Sequence, residues 1–231
     1  MQFAIPPHNQ VAVPIAGRSD WFPVHRIYCV GRNYLEHAKE MGGTGRDAPF
    51  FFAKPADAVL AVPDGTVGEM PYPSETNDLH HEVELVVAIG KGGINIDVTD
   101  AQTHVWGYAI GLDMTRRDLQ AESKKAGRPW STAKGFDFSA PIGPIHPVDV
   151  TSGIAHASIG IKVNGNPRQE SNVGKMMWNV AEIIAYLSKF YALQPGDLIF
   201  TGTPEGVAAV GKGDLMEAAI SGLGELRVRI I

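Results

Sequence analysis

The chain has 231 residues, 44% hydrophobic and 19% charged, with a formal net charge of −5. That composition describes one globular domain, with or without a small arm, and excludes a disordered tail. The mild negative balance offers no basic face for nucleic acid or an anionic membrane, the single cysteine, Cys29, excludes an internal disulfide, and no apolar run approaches the roughly 20 residues that span a bilayer.

The opening segment, Met1 to Asp20, carries Pro6, Pro7 and Pro14 and reads as an irregular or edge-strand arm. It lacks the basic head and apolar core of a signal peptide, so a soluble, cytoplasmic protein is expected. Arg26 to Val30 reads as a short strand. A helix follows, with Asn33 as its cap and Glu36 three residues on in the capping-box arrangement. Gly42-Gly43 should end it, and Met41 to Pro49 is expected to be a glycine-rich loop with hinge-like freedom. Asp57 to Asp78 holds turns and short extended pieces. Glu82 to Ile89 and Val105 to Leu112 are apolar strands. Thr115 is expected to cap a polar helix running to Lys125, stopped by Gly127 and Pro129. Ala157 to Val163 is a strand, turned at Asn164-Gly165-Asn166-Pro167. An amphipathic helix over Met177 to Leu193 presents Val180, Ile184 and Leu187 on one face. Leu198 to Thr201 is a strand, and Leu226, Val228 and Ile230 alternate with Arg227 and Arg229 in a half-buried one. Strands outnumber helices without alternating with them, so the class is β-rich mixed α+β.

The sharpest chemical feature is His81-Glu82-Val83-Glu84-Leu85. On a strand, residues two apart share a face, so Glu82 and Glu84 project together. Turned inward, two carboxylates need a neutralising cation, and oxygen ligands without cysteine favour Mg²⁺, Mn²⁺ or Ca²⁺. The competing reading is the solvated side of an edge strand. Asp113, at the end of a neighbouring apolar run, could add a third oxygen, or simply start a helix. His37 and Glu40 lie three apart on the first predicted helix. A carboxylate beside an imidazole equips it to activate water, although exposed helical pairs of this kind are common. Arg117 and Gln120 share a helix face just after Asp113. Lys134 stands in a segment with few other charges, where it could stabilise an oxyanion. Thr201-Gly202-Thr203-Pro204 and Gly31-Arg32-Asn33 follow strands directly, and either could hold a carboxylate or be an ordinary strand exit. No zinc-hydrolase spacing, nucleophile elbow or phosphate loop is present, and Cys29 reads as a buried strand residue.

In order along the chain stand Gly31-Arg32-Asn33-Tyr34 with His37 and Glu40, Phe52-Ala53-Lys54-Pro55, His81-Glu82-Val83-Glu84-Leu85, and Gly111-Leu112-Asp113-Met114-Thr115 with Arg117-Asp118. Lys134-Gly135-Phe136-Asp137, Val163-Asn164-Gly165 and Thr201-Gly202-Thr203-Pro204-Glu205-Gly206-Val207 follow. Each motif is weak alone, but the ordered series resembles the fumarylacetoacetate hydrolase family over nearly everything after the first twenty or so residues. Within it, the chain is most similar to the short acylpyruvate hydrolases, above all the bacterial fumarylpyruvate hydrolases of gentisate catabolism.

The resemblance implies a β-rich roll of mixed sheets with a few peripheral helices, with residues 1–22 as an arm and 23–231 as a single catalytic domain. It implies a homodimer with one Mg²⁺ or Mn²⁺ per subunit, Ca²⁺ being possible, held by Glu82, Glu84 and Asp113. His37 and Glu40 become the base dyad, on a helix that orders when substrate binds. Lys134 joins them in catalysis, and Arg117, Gln120, Thr203 and Arg32 become contacts to a small 2-oxo acid. Larger relatives use a further upstream aspartate; no counterpart stands here, and a water is expected in its place. The implied reaction is cleavage of a carbon–carbon bond in an acylpyruvate, fumarylpyruvate giving fumarate and pyruvate. Oxaloacetate decarboxylation, or isomerisation or decarboxylation of a related 2-oxo diacid, is the alternative on the same site. A catalytically silent acid-binding protein is a third reading, against which the His37–Glu40 pair counts.

Overall fold

The structure is a computed structural model that describes residues 2–40 and 47–231, with the side chains of residues 39 and 40 left aside. The expected loop from Met41 and the Gly42-Gly43 helix stop fall outside the described residues as far as residue 46. Short strands dominate, in keeping with the β-rich reading. The largest sheet has eight strands. Its order is Phe51–Lys54, Ile27–Val30, Leu198–Phe200, Val83–Ile89, Val105–Leu112, Ala140–Ile142 and Val59–Ala61, with His146–Pro147 also paired to Val105–Leu112. A five-stranded sheet runs Asn166–Asn172, Ser158–Val163, Leu215–Ile220, Gly224–Ile230 and Gly68–Met70. Parallel and antiparallel pairs are mixed: Leu198–Phe200 lies parallel to Ile27–Val30 and antiparallel to Val83–Ile89.

The two-residue period of the central strand decides what each face does. Val83, Leu85, Val87 and Ile89 point into the larger core, shared with Ile159, Ile161, Met216, Ala218 and Val228 of the five-stranded sheet. Val86 and Ala88 point the other way, into a second core with Cys29, Ala109, Leu198 and Phe200. Val13, Ile15 and Phe22 close that second core, from a small hairpin of Ala12–Pro14 on Trp21–Pro23. Glu84 lies on this second face, at the end where the strands run out.

Four α-helices are present among the described residues: α1 (Leu35–Glu40), α2 (Arg117–Ala126), α3 (Ser131–Lys134) and α4 (Val180–Leu187). Three local expectations are corrected. Asn33 does not cap α1: its amide donates to the carbonyls of Trp178 and Thr201, both at 2.8 Å, and accepts from Trp178 N–H at 2.7 Å. Its oxygen is turned to Trp178 rather than to the helix. Thr115 does not cap α2, because Thr115–Arg116 forms a two-residue strand on Leu79–His81. α4 is shorter than its hydrophobic pattern. It begins behind a capping box of Asn179 and Glu182 and ends where the Ser188 hydroxyl donates to Ala185 O and accepts from Ile96 N–H. The α2 stop is as expected, with Gly127 left-handed at φ 63°.

Candidate active site

Register brings the three acids together. Val83 pairs with Leu112 and Glu84 with Gly111, and one step further Asp113 N–H donates to Glu82 O at 2.9 Å. Cross-strand neighbours in an antiparallel ladder share a face, so Glu82, Glu84 and Asp113 converge. One oxygen of each lies within 4.8 Å of the others, and all three residues are buried. Glu82 itself occupies the break between Leu79–His81 and Val83–Ile89 rather than a strand.

Three cations face this cluster. Lys134 Nζ donates to Glu82 Oε2 at 2.8 Å and to Asp113 Oδ2 at 2.9 Å. Arg117 Nη2 donates to Glu82 Oε1 at 2.5 Å. Lys54 Nζ stands 2.8 Å from Asp113 Oδ1, but off the bonding direction, so that oxygen has an ion pair without a directed hydrogen bond. Burial by itself would raise Glu82, yet Lys134, Arg117 and His37 beside it hold its carboxyl below the ordinary carboxylate range. Burial also opposes the charge on Lys134, but Asp113 and Glu82 outweigh it and raise the ammonium above its usual value.

Glu84 differs. Its one hydrogen bond is from Gly202 N–H to Oε2 at 2.7 Å, and no ammonium or guanidinium reaches it among the described residues. Burial first, then Asp113 and Glu82, push its carboxyl well above the usual range. Lys134 therefore bonds two of the three acids and acts on Glu84 only through space, too weakly to offset burial and the neighbouring carboxylates. A hard divalent cation fits these residues: it needs converging oxygens, finds in Glu84 a carboxyl to which no described cation is bonded, and finds in Asp113 a buried oxygen without a directed hydrogen bond. Among the described residues no fourth acid joins the group.

The segment after Leu198–Phe200 is folded around these acids. Gly202 has φ +96°, and a Cβ there would stand 2.7 Å from Asn33 Cβ, so glycine is required for its N–H to reach Glu84. Thr203 donates its hydroxyl proton to Val83 O and accepts from Gln169 Nε2, each at 2.8 Å. Of the groups expected to hold a carboxylate in this segment, the Thr203 hydroxyl is thus committed to the fold. Gln169 has no signal in the sequence beyond being a polar residue in a strand, yet it is a buried hub. Its Oε1 accepts from His81 Nδ1 at 3.0 Å and from Val83 N–H at 3.1 Å; its Nε2 also donates to Pro204 O at 2.7 Å. It therefore grips both neighbours of Glu82. Burial lowers His81 to about 4, which leaves the ring neutral with Nδ1 as the donor.

The other expected residues take these places. His37 is buried, 3% exposed, and close enough to Glu82 to act on its charge. Glu40 ends α1, and its side chain lies outside the described atoms. Gln120 is buried and accepts from Arg117 Nη1 at 2.5 Å. Arg32 stands half-buried over the Phe50 ring, 5.9 Å from its centre. Lys54 was visible only as part of a motif; its signal is a lone charge ending the apolar run Phe50-Phe51-Phe52-Ala53.

Known proteins resemble this chain in sequence and fold. Residues 26–231 match the family model for the fumarylacetoacetate hydrolase C-terminal region. The crystal structure of the fumarylpyruvate hydrolase of Pseudomonas aeruginosa, in complex with Mn²⁺ and pyruvate, superposes with a TM-score of 0.98 at 53% identity, covering 100% of this chain and 99% of that one. A fumarylpyruvate hydrolase of Ralstonia is 44% identical over 181 residues, 78% of this chain and 92% of its own. A mitochondrial oxaloacetate decarboxylase of Dictyostelium discoideum is 41% identical over 203 residues, 88% of this chain and 92% of its own. With residues 26–231 matched by the family model and the whole chain superposed on a solved member at 53% identity, the chain belongs to the fumarylacetoacetate hydrolase family.

Proposed function

We infer that this enzyme hydrolyses the carbon–carbon bond of an acylpyruvate, with fumarylpyruvate as its substrate and Mg²⁺ or Mn²⁺ as its cation. One observation carries the reading: three buried carboxylates converge where, among the described residues, cations bond only two, with a buried imidazole beside them. The metal, when bound through Glu82, Glu84 and Asp113, supplies positive charge to the oxygens of a 2-oxo acid.

The chain's own groups do the rest. Arg117 keeps a buried Nε–H that no group of the described residues accepts, and this donor, with the Thr203 backbone N–H, takes the substrate carboxylate. His37, oriented by Glu40, removes a proton from water, whose oxygen bonds to the 4-oxo carbon. An ammonium has three N–H donors; Lys134 commits two to Glu82 and Asp113, and the third meets the new oxyanion, assisted by Gln120. The C3–C4 bond then breaks, its electron pair stays on C3, and the proton held by His37 completes pyruvate while the acyl part leaves as its acid.

Oxaloacetate decarboxylation is the second reading, favoured by the Dictyostelium relative; it uses the same carboxylates but no attacking water. Pyruvate release should therefore be measured across fumarylpyruvate, acetylpyruvate and oxaloacetate, with Mg²⁺ or Mn²⁺ added and after chelation. Metal-dependent turnover of an acylpyruvate well above oxaloacetate is expected, and the reverse order would replace hydrolysis by decarboxylation. The reading extends to a homodimer of the cytoplasm serving aromatic catabolism, with residues 23–231 as the catalytic domain and 1–22 as an arm. Size-exclusion chromatography with light scattering checks the dimer.

A further inference from the structure

Three buried polar atoms in the region of the carboxylates lack a directed hydrogen bond among the described residues: Asp113 Oδ1, Arg117 Nε and the hydroxyl of Tyr34. The first two have been placed against a cation and a substrate carboxylate. Tyr34 has no duty so far. It is 2% exposed and belongs to neither of the two hydrophobic cores. A buried hydroxyl without a partner is costly, and a ring needed only for its bulk would be supplied equally well by phenylalanine.

The backbone fixes where that residue is brought. Ile27–Val30 runs parallel to Leu198–Phe200, with Cys29 beside Phe200, so the two segments leave the sheet together. Just beyond, the Asn33 amide donates to Thr201 O at 2.8 Å, and a Cβ on Gly202 would stand 2.7 Å from Asn33 Cβ. Gly202 is the residue whose N–H holds Glu84. Tyr34, next along, is bridged to Met176, and its carbonyl accepts from Ala38 N–H at 2.8 Å, which starts α1. Tyr34 therefore stands between the turn that serves Glu84 and the helix that carries His37. Burial, then Glu84 and Glu205, raise the phenol above its usual value, so both carboxyls bear on it and it keeps its proton. Lys134, Lys54 and Arg117 are all committed to Glu82 and Asp113. The phenol is on the other flank, by the acid to which no described cation is bonded.

We propose that the Tyr34 hydroxyl is a substrate-binding group of this site, donating a hydrogen bond to an oxygen of the pyruvoyl end of the substrate on the Glu84 side. Breaking the C3–C4 bond leaves negative charge shared between C3 and the 2-oxo oxygen, and a donor already fixed by packing strengthens its bond as that charge grows. A phenol suits the place, because it offers a proton without adding a positive charge that would repel a cation on Glu84. The proposal rests on the acylpyruvate reading for the identity of the ligand.

Tyr34→Phe removes the hydroxyl and keeps the ring. Without ligand, the variant should melt within about 1 °C of the unmodified protein or slightly above it, since no bond is lost. A fall of more than about 3 °C, the size of one lost hydrogen bond, shows that the hydroxyl is bonded inside the protein and overturns the proposal. With both proteins saturated by Mn²⁺, calorimetry should show pyruvate binding weakened about 10- to 100-fold in Tyr34→Phe, the size of a bond to a charged acceptor. A change of less than about threefold, or no pyruvate binding by the unmodified protein, overturns the proposal. Tyr28→Phe is the control: it removes another unpartnered buried hydroxyl, whose ring lies 4.9 Å from that of Tyr191, and should leave pyruvate affinity unchanged. An equal loss there overturns the assignment to Tyr34. Pyruvate binding needs no turnover, so the two readings separate. The expected weakening, in an enzyme that cleaves no acylpyruvate, upholds Tyr34 and sinks the hydrolase reading; unchanged pyruvate affinity beside full acylpyruvate turnover does the reverse.

Discussion

Glu84 and His37 sit in one cluster yet carry separable duties. Glu84→Ala removes a carboxyl to which no described cation is bonded, so the metal-free protein should change stability by only about 1 kcal/mol, the scale of the lost Gly202 bond. Activity should fall to background together with cation affinity, as calorimetric titration with Mn²⁺ would reveal. His37→Ala should lower kcat by roughly 10²- to 10⁴-fold and leave Mn²⁺ affinity within about twofold. An unchanged kcat removes His37 from the base role. Gln169 acts at one remove. Gln169→Leu would strand the His81 and Val83 donors and the Pro204 acceptor in a buried site, costing about 3 kcal/mol or more in urea unfolding. Because Gln169 holds both neighbours of Glu82, cation affinity should drop as well, by roughly 10- to 100-fold. The types and spacing of Glu82, Glu84, Asp113, Lys134 and Arg117 were legible in the sequence. Gln169 and Lys54 were not, because their importance lies in partners 34 to 88 positions away.

Among the elements, helix boundaries separate local from distant control. α4 starts where its own residues say, since Asn179 and Glu182 satisfy each other's backbone N–H groups across one turn. Asn179→Ala should cost about 1 kcal/mol in thermal or urea unfolding without affecting kcat. Asn33 has equally good capping chemistry, yet its amide is claimed by Trp178 and Thr201, 145 and 168 positions away. The oxygen that would cap the helix is turned to Trp178 N–H, held there by the two carbonyls its NH2 meets. Thr115 loses its capping role for a related reason: the strand ending at His81 needed a pairing partner. The hydrophobic period of α4 continues past Leu187, but the Ser188 hydroxyl is bound to Ala185 O and to Ile96 N–H, which anchors that point to another part of the chain.

For the whole molecule, cation binding and proton binding should both appear as stability. A cation that binds only the folded site at 100 times its dissociation constant adds about 2.7 kcal/mol, so a chelator should lower Tm, and Mn²⁺ should restore it. No such shift in Glu84→Ala is expected, and a persistent one would move the metal elsewhere. Acid should act through His81. Its folded-state value of about 4 lies below the ordinary 6.5, so the unfolded chain takes up the proton first. This contribution is complete above pH 6.5 and is lost as pH falls towards 4, amounting to roughly 3 kcal/mol. Equilibrium unfolding between these limits measures it, and His81→Asn should flatten the slope. Among the described residues no helix is long and apolar enough to cross a membrane.

From the sequence alone came the alternation that makes Val83–Ile89 two-faced, the β-rich class, the set of acids and their oxygen-only chemistry, and the ordered motifs that resemble one family. These depend on residue type and on spacings of a few positions, which backbone geometry translates directly. Which polar groups are spent and which are left over was decided by tertiary structure. The Thr203 hydroxyl is consumed by Val83 and Gln169, Lys134 is drawn onto two acids, and Glu84 is left with no described cation bonded to it. Each outcome depends on strand register between segments distant in sequence, where a buried donor or acceptor takes whichever partner packing brings within reach.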